Sequence, residues 1–205
     1  MHNWNDIFDK NAAPFALATF ILACAYSGVS AFLSLYAKNI GMVETASTFF
    51  IIYAVFVLIS RPFTGRWSDK FGSKAIIYPC LIIFAVGMLL LSQTRFSGMM
   101  LLAGAFIGIG YGSVTPVFQT QTISSVESHR VGIANSLFFN SMDAGMAIGA
   151  FILGIAANTL GYRSVYVFGV VLIAVTALLY FVLTGKKEKP QYDVSSENDA
   201  EEIAS

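Results

Sequence analysis

The sequence predicts an all-α integral membrane protein with six transmembrane helices. Of its 205 residues, 56% are hydrophobic and only 12% are charged. Soluble domains have about 45–50% apolar and about 25% charged residues, so this chain has too few polar side chains to fold in water. Short polar stretches divide the chain into six apolar runs. A run of about 20 apolar residues crosses a bilayer as one helix, and the surrounding solvent is therefore expected to be lipid.

The six predicted spans follow one another with short connections. The spans are residues 12–37, 45–60 with an extension to about 64, 75–94, 96–126 with a helix starting near 98, 131–160 and 164–185. Short connections make sequential helices antiparallel neighbours. The spans together form a predicted bundle over residues 12–185.

The two ends of the chain are polar. Residues 1–11 carry Trp4, Ile7 and Phe8 at helical spacing, which favours a cytoplasmic segment lying on the membrane surface, with a frayed terminus as the alternative. Residues 186–205 are polar and acidic, and we predict a disordered cytoplasmic tail.

The basic residues predict the orientation, because cytoplasmic loops are enriched in Lys and Arg. Nine of the 12 Lys and Arg residues lie on the side that holds both termini. We therefore expect a multi-pass protein of a bacterial plasma membrane with both termini in the cytoplasm.

Composition also argues against several classes of protein. The basic residues form no stripe, which argues against nucleic acid as a partner. Cys24 and Cys80 lie far apart in apolar runs, a pattern that does not predict a metal site. Neither His2 nor His129 lies in a span, so Ser113 has no histidine base beside it and we expect neither an enzyme nor a cofactor.

Three spans carry polar or small side chains at helical spacing, which predicts a shared polar cavity. The candidate cavity-lining residues are Tyr26, Ser27 and Ser30 in the first span, Tyr111, Thr115 and Gln119 in the fourth, and Ser136 in the fifth. Gly145 and Gly149 lie on the other side of the fifth span and predict a close helix–helix seam. The third and sixth spans show no such stripe and are predicted to face lipid.

Asp143 is the one ionisable residue inside a predicted span. A charged side chain at the centre of a membrane costs about 2.5–3.5 kcal/mol, so this carboxyl should face the protein interior and be paired or protonated. We predict that it couples protons to transport, with Asn140 one turn earlier as its neighbour. A purely structural hydrogen bond to Asn140 is the alternative.

The stretch from Gly65 to Lys74, GRWSDKFGSK, is the most polar one between the first and last spans. Gly65 and Gly72 predict a sharp reversal there. The bases Arg66, Lys70 and Lys74 obey the positive-inside rule, but that rule does not account for Asp69.

These residues resemble the loop signature between helices 2 and 3 of the major facilitator superfamily, roughly G-[RK]-L-[SA]-D-[RK]-x-G-[RK]-[RK]. The glycines, the aspartate and three bases match, and Arg61 with Pro62 also fits upstream. Trp67 replaces the usual leucine and Ser73 replaces a base. The stretch from Asn135 to Gly154 resembles helix 5 of the second half in drug-efflux members.

The resemblance implies one half of a two-bundle major facilitator fold, and we predict the second half. It implies that the cytoplasmic gate segment, residues 61–74, latches the closed side, with Asp69 accepting hydrogen bonds from the other half and Arg66 pairing with an acid such as Glu127. The implied function is secondary transport, with proton-coupled efflux of drugs or small metabolites by alternating access. Its partners would be the bilayer, a small-molecule substrate, a proton, and another six-helix half from a split gene or a homodimer. The alternatives are a channel-like or non-transporting six-helix protein, or an inactive fragment of a transporter.

Overall fold

Six long helices make up the computed structural model, which describes residues 12–184 apart from the side chains of Ser68, Asp69, Phe71 and Thr184. The helices are α1 Ala13–Asn39, α2 Val43–Phe71, α3 Ser73–Ser92, α4 Ser97–Ser124, α5 Val131–Leu160 and α6 Tyr162–Thr184. Each is long and apolar enough to cross a membrane, which confirms the six-helix prediction. The predicted interfacial segment and acidic tail lie outside the described residues.

The boundary between α2 and α3 differs from the prediction. α2 continues to Phe71 and α3 begins at Ser73, so most of the gate segment is helical and not a loop. The reversal expected at Gly65 is wrong, because this glycine lies inside α2. Arg and Lys favour helix, which lets α2 continue beyond the apolar run that crosses the membrane.

One glycine makes each of two tight reversals. Gly72 joins α2 to α3 with φ 80° and ψ 157°. Gly161 joins α5 to α6 with nearly the same geometry, φ 84° and ψ 163°. This backbone region is open almost only to glycine.

The two reversals belong to two similar halves of the bundle. α1 packs on α5 and α6, α4 packs on α2 and α3, and α3 contacts α6. Sequential helices alternate in direction, so α4 runs opposite to α1. The packing is therefore that of two three-helix repeats with inverted topology, an arrangement common in secondary transporters.

We expect Gly72→Ala to destabilise the bundle by about 1–3 kcal/mol, because alanine is strained at this φ and ψ. Gly65→Ala is the matched control: a Cβ there meets nothing within 4 Å, so alanine should be neutral or stabilise α2 by up to about 1 kcal/mol. Unfolding in mixed detergent micelles measures both. Equal effects of the two substitutions would contradict the one-residue reversal.

The helices differ in how much of them the bundle covers. In the most apolar 18-residue segment of each helix, 61% of the residues are buried in α1 and α4, but only 22% are buried in α2 and α5. α1 and α4 are thus the central helices. The other helices cover less of α2 and α5 than of α3 and α6, because α3 and α6 also pack on each other. The polar stripes in the sequence, from which α3 and α6 were predicted to face lipid, did not indicate this difference.

Candidate functional site

α5 is held against α1 by the glycine seam that the sequence predicts. Gly145 lies against the backbone carbonyl oxygen of Phe20, and a Cβ on Gly149 would lie 2.6 Å from the Cα of Cys24. The absence of a side chain at both positions lets the two backbones approach this closely. This seam fixes the rotation of α5 about its own axis.

The opposite side of α5 carries the polar stripe. Asn140 and Gly149 are nine residues apart, which places them about 180° apart around a helix with 3.6 residues per turn. Ser136, Asn140 and Asp143 are all exposed. Asp143 comes 12 residues after the start of α5 and 17 before its end, and is therefore near the middle of the span.

The structure leaves Asp143 uncovered by the other helices of its own bundle. The sequence prediction had this carboxyl facing a protein interior, and within residues 12–184 it faces outward instead. Asp143 faces outward because Gly145 and Gly149, which pack α5 on α1, lie on the opposite side of α5.

A polar contact links α4 to α5 beside this stripe. The Gln119 Nε2 atom donates a hydrogen bond to Asn135 Oδ1 at 3.0 Å. Both side chains are half-buried. Gln119, one of the predicted cavity residues, is therefore engaged between two helices and helps to hold α5 in place.

The predicted stripe on α1 divides between two surroundings. Tyr26 is half-buried and Ser30 is exposed, whereas Ser27 is buried. The Ser27 hydroxyl donates to the carbonyl oxygen of Cys24 at 2.7 Å and lies beside Gly149 in the seam. Ser27 thus packs between α1 and α5.

Three glycines at helical spacing on α4 have a packing role. Gly104 and Gly112 lie against Phe49 and Val57 of α2, and Gly108 lies against the backbone carbonyl of Tyr53. A Cβ at Gly108 would be 2.6 Å from that oxygen, so α2 and α4 approach closely.

Thr115, the predicted cavity residue one turn after Tyr111, bonds to its own helix. Its hydroxyl donates to the Tyr111 carbonyl oxygen at 2.8 Å, and its side chain is half-buried. Such a bond is the usual structural role of threonine in membrane helices.

Three tyrosines from three different helices meet in the middle of the bundle. The rings of Tyr26 and Tyr111 are nearly parallel, with centroids 3.9 Å apart and planes 6° apart. Tyr26 also stacks on Tyr53 at 5.9 Å and 27°. Tyr53 was missed by the sequence analysis, and its signal was a single tyrosine in the middle of an otherwise apolar run.

The gate segment lies at one end of the bundle. Arg61, Arg66 and Lys70 are exposed on the last turns of α2, and Lys74 is half-buried in the first turn of α3. The side chain of Asp69 is outside the described part of the structure. The predicted partner of Arg66, Glu127, has its carboxylate 3.4 Å from His129 Nδ1.

Six apolar helices in two inverted repeats, with polar side chains on the central helices and a carboxyl at mid-span, define a multi-pass membrane protein built like one half of a secondary transporter. Residues 15–202 match the family model of the Major Facilitator Superfamily. The chain belongs to this family.

Several curated proteins are similar to the chain. It is 30% identical over 158 residues, 76% of its length, to an uncharacterized MFS-type transporter, MJ1560, of Methanocaldococcus jannaschii, and covers 40% of that protein. It is 30% identical over 148 residues, 70% of its length, to the probable nitrate transporter NarT of Staphylococcus carnosus, and covers 37% of it. It is 26% identical over 180 residues, 85% of its length, to the multidrug resistance protein MdtG of Dickeya zeae, and covers 44% of it. The chain therefore spans less than half the length of these relatives.

Proposed function

We propose that this chain is one half of a secondary transporter, and that it moves a small solute together with a second six-helix half. The observation that carries the proposal is the exposed stripe of Ser136, Asn140 and Asp143 at the middle of α5. A half-bundle that worked alone would have no second body to rock against, and alternating access in such transporters is the rocking of one bundle against another.

The free-energy cost of exposing Asp143 to lipid supports a second half that covers the polar stripe of α5. A carboxylate that faced hydrocarbon would cost about 2.5–3.5 kcal/mol or more, so mid-span acids face protein or water. The helices within residues 12–184 do not cover this acid, and a second half lying across α5 and the exposed side of α2 would cover it. The similar proteins named above, more than twice as long as the matched region, have room for such a half.

Proton-coupled efflux of drugs or small metabolites is the form of transport that we propose. Asp143 would load and release the proton, and Asn140, one turn earlier on the same stripe, would hydrogen-bond to it. A carboxyl that alternates between water and a closed interface can exchange its proton with each side in turn. The similarity to a multidrug resistance protein supports this choice, whereas the similarity to probable nitrate transporters supports movement of an inorganic anion.

The proposal is tested in vesicles that contain the chain purified together with its second half and that carry an imposed pH gradient. We expect a saturable flux of solute that dissipates the gradient and stops when an ionophore has collapsed it. A flux that does not saturate and does not depend on the pH gradient would identify the channel-like alternative. No flux of any solute would favour a non-transporting protein or an inactive fragment.

We further propose that the gate segment latches the cytoplasmic side closed through Asp69. Asp69→Asn should slow turnover about tenfold or more, the loss of roughly one charge-assisted hydrogen bond, while solute affinity stays within a few-fold. Initial rates over a range of solute concentrations separate the two quantities. Glu44→Gln, which neutralises an acid in the first turn of α2, is the control and should change neither. A loss of affinity with turnover retained would refute the latch.

A further inference from the structure

We infer that the transported solute contains a planar aromatic ring, and that this ring stacks on Tyr53, the last ring of a ladder in which Tyr26 supports Tyr53. The inference rests on the proposed function only in taking the middle of the bundle as the solute site. It names a substrate class, which neither the fold nor the proposed direction of transport determines.

The aromatic rings form a ladder that runs from the core to a partly open surface. Phe84 is fully buried and lies 5.6 Å from Tyr111, whose side chain is 8% exposed. Tyr111 stacks on Tyr26, and Tyr26 on Tyr53, and these last two rings are only half-buried. The buried rings therefore fix the orientation of the half-buried ones, as a recognition surface requires.

The ladder lies at the depth where transporters bind their solutes. Tyr26 is the central residue of α1, with 13 residues on each side, and Tyr111 is central in α4, with 14 before it and 13 after it. Tyr53 is contributed by α2, whose backbone at this residue contacts Gly108 of α4. Substrate sites of secondary transporters lie near the bilayer midplane.

Aromatic rings form the partly exposed end of the ladder, because Tyr26 and Tyr53 are its two half-buried members. Ring faces and edges are therefore what these tyrosines present to a solute. Flat aromatic molecules stack on such rings, and a positive charge on the molecule adds attraction to the ring face.

Equilibrium binding to the full chain in lipid nanodiscs tests the inference without requiring transport. The probes are ethidium, a planar aromatic cation, salicylate, a planar aromatic anion, and nitrate, an anion without a ring. We expect at least one aromatic probe to bind, with affinity about tenfold weaker in Tyr26→Leu, since an aromatic pair is lost. Tyr26→Phe keeps the ring and should stay within about threefold of wild type.

Two further variants make the test specific. Tyr78→Leu removes a tyrosine that packs on Tyr180 away from the ladder and should leave binding unchanged. If Tyr26→Leu does not fold, Tyr53→Leu takes its place with the same expectation. Wild-type affinity in the leucine variants, no binding of either aromatic probe, or binding of nitrate alone would overturn the inference.

The outcomes separate this inference from the proposed function. Ring-dependent binding without any vesicle flux would refute transport and keep the aromatic site. Proton-coupled flux of a solute that is unchanged in the Tyr26→Leu and Tyr53→Leu variants would support transport and refute the aromatic site.

Discussion

Asp143→Asn is expected to reduce proton-coupled solute movement to the level of empty vesicles. Asparagine preserves the shape of the side chain and can still form hydrogen bonds, but its amide cannot bind and release a proton as a carboxyl group does. The coupled flux in vesicles with a pH gradient measures the loss. Exchange of labelled for unlabelled solute, which needs no net proton movement, should persist.

Controls distinguish proton coupling from general damage to the fold. Glu44→Gln removes an acid in the first turn of α2, away from both Asp143 and the gate segment, and should leave coupled flux unchanged. Asn140→Ala should weaken coupling without abolishing it, because the alanine removes a hydrogen-bonding neighbour and not the proton site. Wild-type coupling in Asp143→Asn would refute the role of this acid.

Gly149→Leu is expected to destabilise the bundle by about 3 kcal/mol, at the upper end of the range for overpacked sites. A Cβ at this position would lie 2.6 Å from the Cα and 2.8 Å from the carbonyl oxygen of Cys24. Both are backbone atoms, so no side-chain rotation can relieve the clash. α1 and α5 must separate, and Asp143 must change its position with them.

Gly132→Leu is the matched control, because a Cβ there meets nothing within 4 Å. Leucine favours helix over glycine by roughly 0.8–1 kcal/mol in a helix interior and by less at Gly132, which lies in the first turn of α5. Propensity alone would therefore favour Gly149→Leu, and a greater destabilisation of this variant reports packing. Unfolding in detergent micelles measures this difference. Equal stability of the two variants would show that the seam does not bring the two backbones together.

The helices themselves were predictable from the sequence. α5 begins and ends at the predicted residues, 131 and 160, because charged or turn-forming residues flank a long apolar run. The end of α2 was not predictable from hydropathy. Beyond Thr64 the helix continues through polar residues until Gly72 reverses the chain. The spacing of apolar residues does not indicate the backbone geometry at a single glycine.

The candidate site was predictable in composition but only partly in arrangement. The sequence placed Tyr26, Ser27 and Asp143 on polar stripes, and it predicted the seam through Gly145 and Gly149. It did not separate Ser27, which packs in the seam, from its neighbour Tyr26, because that distinction depends on which helix lies alongside. It also missed Tyr53, whose ring stacks on Tyr26 of α1 and whose backbone lies against Gly108 of α4.

The most direct test of the central claim is photo-crosslinking from position 140 in the native membrane. A photoreactive amino acid replaces Asn140 on the exposed stripe, and another replaces Phe181 of α6, which is 65% exposed, as a lipid-facing control. We expect crosslinks from position 140 to protein of a second six-helix half, and crosslinks from position 181 to lipid. Crosslinks from both positions to lipid alone would contradict the central claim, because Asp143 would then face the bilayer with no second half beside it.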